Sequence, residues 1–174
     1  MKLQTQTLAQ LPQVRALGRH TGQDPLTLFW TASGIELDFT GSELWVDLFA
    51  DYTVMEPWVS VELNGAWIAR FAVNPGASRV CLFRGMTPGA VRHVRLLKDV
   101  QAMHDDPAHL LQITALEYAD GEFLPLPEPA YRLEFVGDSI TSGEGAIGAV
   151  SEEDWAGAFF SAENHYARMT ADVL

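Results

Sequence analysis

One cysteine, Cys81, and two lysines, Lys2 and Lys98, are all that 174 residues contain of either type. A single thiol closes no internal disulfide, so no oxidised framework holds this chain together. Cys81 lies in the apolar run Arg79-Val80-Cys81-Leu82-Phe83 and reads as a small buried hydrophobe rather than a reactive thiol. Basic residues are scarce altogether, with 11 Lys and Arg against 23 Asp and Glu and a net charge of −12. Binding to a nucleic-acid backbone needs a set of cations that displace counterions, and no basic stripe is visible, which argues against nucleic acid as a partner. Anionic membrane surfaces are disfavoured for the same reason. No apolar run approaches the roughly 18 residues of a spanning helix. The N-terminal MKLQTQTLAQLPQVRALGRH has no apolar core of secretory length, so no signal peptide is expected in the sequence as it stands. The residues set no compartment.

What is present is a globular composition: 48% hydrophobic and 20% charged residues, with a mean hydropathy of +0.03. The length suits one good-sized domain, or one and a piece of another. Ile35, Leu37 and Phe39 alternate with Glu36, Asp38 and Thr40; Leu44, Val46 and Leu48 alternate with Trp45, Asp47 and Phe49; Val59, Val61 and Leu63 alternate with Ser60, Glu62 and Asn64. A period of two is that of a strand with one face on a core and the other toward solvent or a second layer. Asn64-Gly65 separates the third run from Ala66–Phe71, and Asn-Gly between two strand patterns predicts a tight hairpin because both residues tolerate positive φ. Further strand candidates are 79–83, 90–97 and 110–118, separated by turn signals at Asn74-Pro75-Gly76, Thr87-Pro88-Gly89 and Asp105-Asp106-Pro107. Eight to ten short strands at this spacing predict an antiparallel β-sandwich of jelly-roll type over residues 13–123.

Leu124-Pro125-Leu126-Pro127-Glu128-Pro129 follows, and prolines at alternate positions favour an extended connector. The expected division is therefore 1–129, a sandwich with its linker, and 130–174, a second unit. Acid density rises at the same place: residues 130–174 hold 8 of the acids and 2 of the bases. Tyr131–Val136 has a strand pattern and runs into Gly137-Asp138-Ser139. Tyr166, Met169, Thr170 and Val173 fall at helical spacing, predicting an amphipathic helix near the C-terminus. Strand, loop, helix is the opening of an α/β domain.

The chemistry is concentrated in Gly137-Asp138-Ser139-Ile140-Thr141. At the carboxyl end of a strand, a side chain faces the crevice where α/β folds bind ligands. Glycine allows a sharp turn and leaves room for a substrate. Ser139 is a nucleophile if a histidine takes its proton, and its own N–H can help hold the oxyanion on an attacked carbonyl. Asp138 suits a turn-tying hydrogen bond better than the role of triad acid. On three letters alone, an ordinary Asp-Ser turn is an equal reading.

Context adds to this. Glu134-Phe135-Val136-Gly137-Asp138-Ser139-Ile140-Thr141-Ser142-Gly143-Glu144-Gly145 resembles the first sequence block of the SGNH, or GDSL-type, hydrolases. Upstream, Gly18-Arg19, Phe29–Glu36 and Phe39–Leu44 resemble the β-sandwich of carbohydrate esterase family two. The resemblance implies a mainly β chain: an antiparallel jelly-roll β-sandwich followed by the first strand and helix of an α/β (SGNH, flavodoxin-like) hydrolase domain. It implies a serine esterase that deacetylates carbohydrate through an acyl-enzyme, with no metal or organic cofactor and an acetylated carbohydrate as its partner. Ser139 matches the family nucleophile, and Gly137 and Asp138 match its turn residues. The family's second glycine, its asparagine and its late Asp-x-x-His block have no matching position, so the chain reads as truncated and weak or inactive alone. The alternative is a carbohydrate-binding sandwich without catalysis; a protein-interaction sandwich is a weaker third.

Other residues invite function and have plainer readings. Asp106-Pro107-Ala108-His109 spells Asp-x-x-His but precedes the serine, and His104, Asp105, Asp106 and His109 read as a solvated loop rather than metal ligands. His165, on the terminal helix, reads as a surface or packing residue, and His20 and His93 as structural or solvent-facing ones. Glu152-Glu153-Asp154 beside Trp155 is a solvated loop in the plain reading and a cleft border with Trp155 as sugar platform in the functional one. Trp30, Trp45, Trp58 and Trp67 read as packing residues of the sheets.

Overall fold

The alternating runs pair with one another as their apolar faces require. The protein is represented by a computed structural model that describes residues 2–103 and 105–174. Its strands are β1 (Gln4–Gln6), β2 (Arg15–Leu17), β3 (Leu26–Thr27), β4 (Gly34–Phe39), β5 (Glu43–Asp51), β6 (Trp58–Leu63), β7 (Ala66–Ala72), β8 (Gly76–Phe83), β9 (Arg92–Lys98), β10 (Leu110–Ala119) and β11 (Phe123–Leu124). One helix, α1 (Tyr166–Ala171), follows. The first sheet runs β1-β10-β5-β8, with β3 also beside β10; the second runs β11-β4-β9-β6-β7, with β2 beside β4. The recorded pairings are antiparallel. From β4 to β10 the chain repeatedly changes sheet, as in a jelly roll.

The core is the inward half of the alternation. Ile35, Leu37 and Phe39 of β4 meet Leu44, Val46 and Leu48 of β5, Val59 and Val61 of β6, and Leu111, Ile113 and Leu116 of β10 in one buried cluster. Phe39 is wholly buried. Its ring lies edge-on to Tyr118 at 5.5 Å and against Phe123 at 4.7 Å. The β6–β7 hairpin closes at Asn64 (φ 52°) and Gly65 (φ 78°), with Leu63 opposite Ala66. Two consecutive positive φ angles make the turn whose twist matches its strands.

The sequence pattern and the fold part company in four places. The sandwich begins at Gln4 rather than near residue 13, because β1, β2, β3 and β11 are two or three residues long and too short to show a period. Cys81 is half-buried rather than buried, because β8 is an edge strand of its sheet. The expected strand at Tyr131–Val136 is not one: the segment is exposed and unpaired among the described residues, and a strand exists only through its ladder partners. The terminal helix is confined to six residues. Among the described residues no helix is long and apolar enough to cross a membrane.

The polar half of the second sheet is not a solvent face either. Glu36, Ser60 and Glu62 are buried. A chain of ion pairs crosses this face: Arg15 to Glu36 at 2.8 Å, Arg95 to Glu36 at 2.7 Å, Arg95 to Glu62 at 3.5 Å, and Arg168 of α1 to Glu62 at 2.5 Å. The C-terminal segment lies on it. Arg70 of β7 is ion-paired with the fully buried Asp99, which also accepts the Ala162 N–H at 2.8 Å. Arg70 donates further to the carbonyls of Gly157 and Phe160, each at 2.8 Å, and its guanidinium stacks 4.1 Å above Trp58. Beneath it, Val100, Met103 and Phe160 form a small second apolar cluster.

Truncating the main core should be costly: Phe39→Ala is expected to destabilise the fold by about 3–5 kcal/mol, read as a lowered denaturation midpoint in urea. Asp99→Ala leaves the Arg70 charge buried and unpaired and is expected to cost roughly 3–5 kcal/mol. Limited proteolysis should then cut first within residues 155–165, and unchanged cleavage there would contradict the anchoring role of Asp99.

Candidate active site

The alternation at the end of β9 sends neighbouring residues in opposite directions. Lys98 is buried and donates to the Leu28 carbonyl at 3.3 Å and to His109 Nε2 at 2.8 Å. Asp99 reaches the other way, to Arg70 and the Ala162 N–H. Two residues further on, the Gln101 side-chain carbonyl accepts the Ser142 hydroxyl at 2.6 Å. The sandwich thus holds the serine block at Ser142 and the segment behind it at Ala162. The two are tied to each other where Ser161 N–H donates to the Gly143 carbonyl at 3.0 Å. Gly143 has φ +82°, and a Cβ there would lie 2.1 Å from the Ser161 carbonyl oxygen. No side chain fits that approach.

Within these anchors, residues 139–147 form consecutive turns. The Ser139 carbonyl accepts N–H bonds from Ser142 at 3.1 Å and Glu144 at 3.0 Å. Asp138 Oδ1 accepts the Ile140 N–H at 3.1 Å, the turn-tying bond expected of it. A Cβ on Gly137 would meet Thr141 Oγ1 at 2.0 Å. Thr141 Oγ1 and the Tyr166 hydroxyl of α1 are hydrogen-bonded at 2.9 Å. Gly137 and Asp138 are exposed and Ser139 is half-buried.

His165 caps the front of α1 and is buried, with no hydrogen-bond partner on either ring nitrogen. It is therefore not joined to the Ser139 hydroxyl. Burial pushes its pKa down and Arg168 adds to this, against the opposing backbone of Thr141 and charge of Asp99, so the ring is held neutral.

Trp155 is 38% exposed and lies edge-on to Phe160 at 6.1 Å. With Glu144, Glu152, Glu153 and Asp154 it borders a cavity of about 110 Å³ beside the turns that follow the serine. The loop is solvated and borders this hollow.

The Asp-x-x-His decoy resolves into structure. Asp106 accepts both the N–H and the hydroxyl of Thr53 at 2.7 Å, and the N–H groups of Val54 and Ala108 at 3.0 Å. These bonds, led by that of the Thr53 backbone, hold its carboxyl down at about 2. Burial and the neighbouring Lys98 push His109 down to about 4, and burial brings Lys98 to about 8. A neutral His109 is what lets Nε2 accept from Lys98. Among the described residues no group of three or more His, Cys, Asp and Glu could hold a metal ion; His104 lies outside the described residues. His93 pairs with Asp38 at 2.7 Å and with Glu36 at 3.2 Å, while His20 is exposed. Trp45 and Trp58 pack under Arg79 and Arg70, but Trp30 is 62% exposed and Trp67 42%.

Sequence reasoning missed Arg70, Asp99, Gln101 and Lys98. Each is a single polar residue in or beside a strand, and no local pattern tells a buried anchor from an outward-facing charge.

No family model matches the chain. Among curated proteins it is similar to the cellulase/esterase CelE of Acetivibrio thermocellus, 31% identical over 146 residues that make up 83% of this chain and 17% of CelE. Among solved structures it is similar to the acetyl xylan esterase Est2A of the rumen bacterium Butyrivibrio proteoclasticus, with 43% identity and a TM-score of 0.94 over 98% of this chain and 46% of that one. A family two carbohydrate esterase of Clostridium thermocellum, solved with cellohexaose, matches at 28% identity and a TM-score of 0.79, over 92% of this chain and 48% of that one. The chain thus spans about half the length of these solved esterases and a smaller part of CelE. In sequence and in fold, it groups with the family two carbohydrate esterases over the half of their length that it spans.

Proposed function

We propose that Ser139 is the nucleophile of an SGNH-type serine esterase that removes acetyl groups from carbohydrate. The observation that carries this reading is the construction around the serine: Gly137 and Asp138 shape the turn, Ser142 is held by Gln101 of the sandwich, and Gly143 packs against Ser161. Ser139 attacks the acetyl carbonyl, its N–H helps hold the oxyanion, the sugar hydroxyl leaves, and water releases acetate from the acyl-enzyme. Trp155, at the rim of the acidic hollow, is the sugar platform. The functional division falls at 1–129 and 130–174, the sandwich serving as scaffold for the unit that bears the nucleophile.

A serine without a base is a poor nucleophile at neutral pH. The one histidine after Ser139 is His165, which is not hydrogen-bonded to it. The 174-residue chain should therefore hydrolyse acetylated xylo-oligosaccharides at close to the background rate. Turnover at enzyme-like rates, abolished by Ser139→Ala, would overturn the weak-alone reading and support the nucleophile. In a longer form of the protein that supplies a histidine base, Ser139→Ala should lower kcat by about a thousandfold or more with KM little changed.

A second reading, a carbohydrate-binding sandwich without catalysis, draws on the exposure of Trp30 and Trp67. Calorimetric binding of cello- or xylo-oligosaccharide that survives Ser139→Ala and Trp155→Ala but is lost in Trp30→Ala would favour it.

A further inference from the structure

Two carboxyl groups meet where the C-terminal segment lies on the second sheet. Glu62 projects from the outer face of β6, and Glu163 comes from the segment that leads into α1. Ser60, two residues before Glu62, donates its hydroxyl to Glu163 Oε1 at 2.8 Å. Glu62 Oε1 accepts from Arg168 of α1 at 2.5 Å, and Arg95 of β9 lies 3.5 Å from Oε2. Glu62 Oε2 is buried and has no hydrogen-bond donor of its own. Ser60 and Glu62, two residues apart, share one face of β6, so Glu163, bonded to Ser60, lies beside the Glu62 carboxyl.

Counting charge around the pair shows what is out of balance. From β6 come Glu62 and the neutral Ser60; from β9, Arg95, which is shared with Glu36 of β4; from α1, Arg168, which is shared with Asp172 at 3.0 Å. His165, the next titratable group along the chain, has its pKa pushed below the ordinary 6.5 by burial and is neutral at pH 7. With Arg15 of β2, which also pairs with Glu36, three arginines thus face the three carboxylates Glu36, Glu62 and Asp172 before Glu163 is counted. A fourth negative charge, half-buried beside Glu62, has no cation left to itself. A proton on Glu163 removes that charge and supplies the donor that Glu62 Oε2 lacks.

We propose that Glu62 and Glu163 form a proton-operated latch: they share one proton while residues 161–172 lie on the sandwich, and loss of that proton loosens the segment from β6. The segment includes Ser161, which ties the serine block at Gly143, so the latch sets how firmly that block is held.

The direction of the pH dependence follows from the pair's environment. Burial raises Glu163, the hydrogen bond and charge of Glu62 raise it further, and these outweigh Ser60 and Arg168, taking it from an ordinary 4.5 to about 8. Burial would raise Glu62 too, but the bond from Glu163 and the charges of Arg168 and Arg95 hold it below the usual range. Between pH 4.5 and about 8 the docked segment binds a proton that the released segment does not. Through Glu163, docking weakens as pH rises through that window; the lowered pKa of His165 opposes this below 6.5, so the weakening is clearest between pH 6.5 and about 8. Below 4.5 the lowered carboxyls Glu62 and Glu36 begin to protonate, and docking weakens again.

Hydrogen exchange on the 174-residue chain tests this. After correction for the intrinsic rate, the opening equilibrium of amides in 161–172 should rise on the order of tenfold from pH 6.5 to pH 8, while amides of β5 and β10 stay level. In Glu163→Gln, which keeps the shape and carries no charge, the rise should vanish. A flat profile in the wild-type chain overturns the latch, as does an equal rise in Glu163→Gln. Should Glu163→Gln fail to fold, carboxyl carbon NMR of the wild-type chain decides: a Glu163 midpoint near 8 supports the latch and one near 4.5 overturns it.

Discussion

The Arg70–Asp99 ion pair is the contact on which the placement of the C-terminal segment depends. Asp99 has no exposed surface, and Arg70 spends its remaining donors on the carbonyls of Gly157 and Phe160. A buried ion pair adds little net stability, because desolvation offsets the attraction, but it is unforgiving of misplacement. Asp99 must meet both a guanidinium from β7 and an N–H from Ala162. Only one seating of the segment satisfies all of these at once. The apolar contacts beneath, Phe160 against Val100 and Met103, would tolerate sliding; the hydrogen bonds do not.

The same logic explains why the second sheet is polar on its outer face and yet buried there. A run such as Ile35-Glu36-Leu37-Asp38 states only that one face is apolar and the other is not. It does not state what the polar face meets. Here it meets other charges in a fixed order, Arg15, Glu36, Arg95, Glu62 and Arg168, with Glu36, Arg95 and Glu62 each shared between neighbours on either side. That is the chemistry of an interface rather than of a wetted surface, where such pairs contribute little. The strands, their order of facing and the Asn64-Gly65 hairpin were legible because a period of two is local. The segment that covers the polar face was not, because Arg168 and Ala162 arrive from more than 60 residues away in sequence.

The serine block divides in the same way. Gly137, Asp138 and Ser139 could be picked out because the turn's requirements are met within three residues: a position where a Cβ would meet Thr141 and a carboxylate that reaches the next N–H but one. Gln101, which holds Ser142, could not, since nothing in the Asp99-Val100-Gln101-Ala102-Met103 stretch sets it apart from a surface glutamine. Tyr131–Val136 is the converse case. Its alternation is sound, but a pattern specifies only which strand would be favoured if a neighbour were there, and none of the described strands lies beside it. Lys98 was the least legible of all. A lone lysine in an acidic chain reads as solvated, and it is instead buried against a histidine whose neutrality it helps to enforce.

A boundary in composition is therefore not a boundary in energetics. The prolines after Leu124 and the rise in acid density mark residue 129 as a seam in the sequence, yet the loop that carries Ser139 takes its position from the far side of that seam. Ser142 rests on Gln101, Gly143 on Ser161, and Ser161 is held through its neighbour Ala162 by Asp99. Each link is a single hydrogen bond. A displacement of the 157–165 segment would therefore reach the serine turn directly, without any change in the turn's own sequence. The sandwich is thus part of the geometry that positions Ser139.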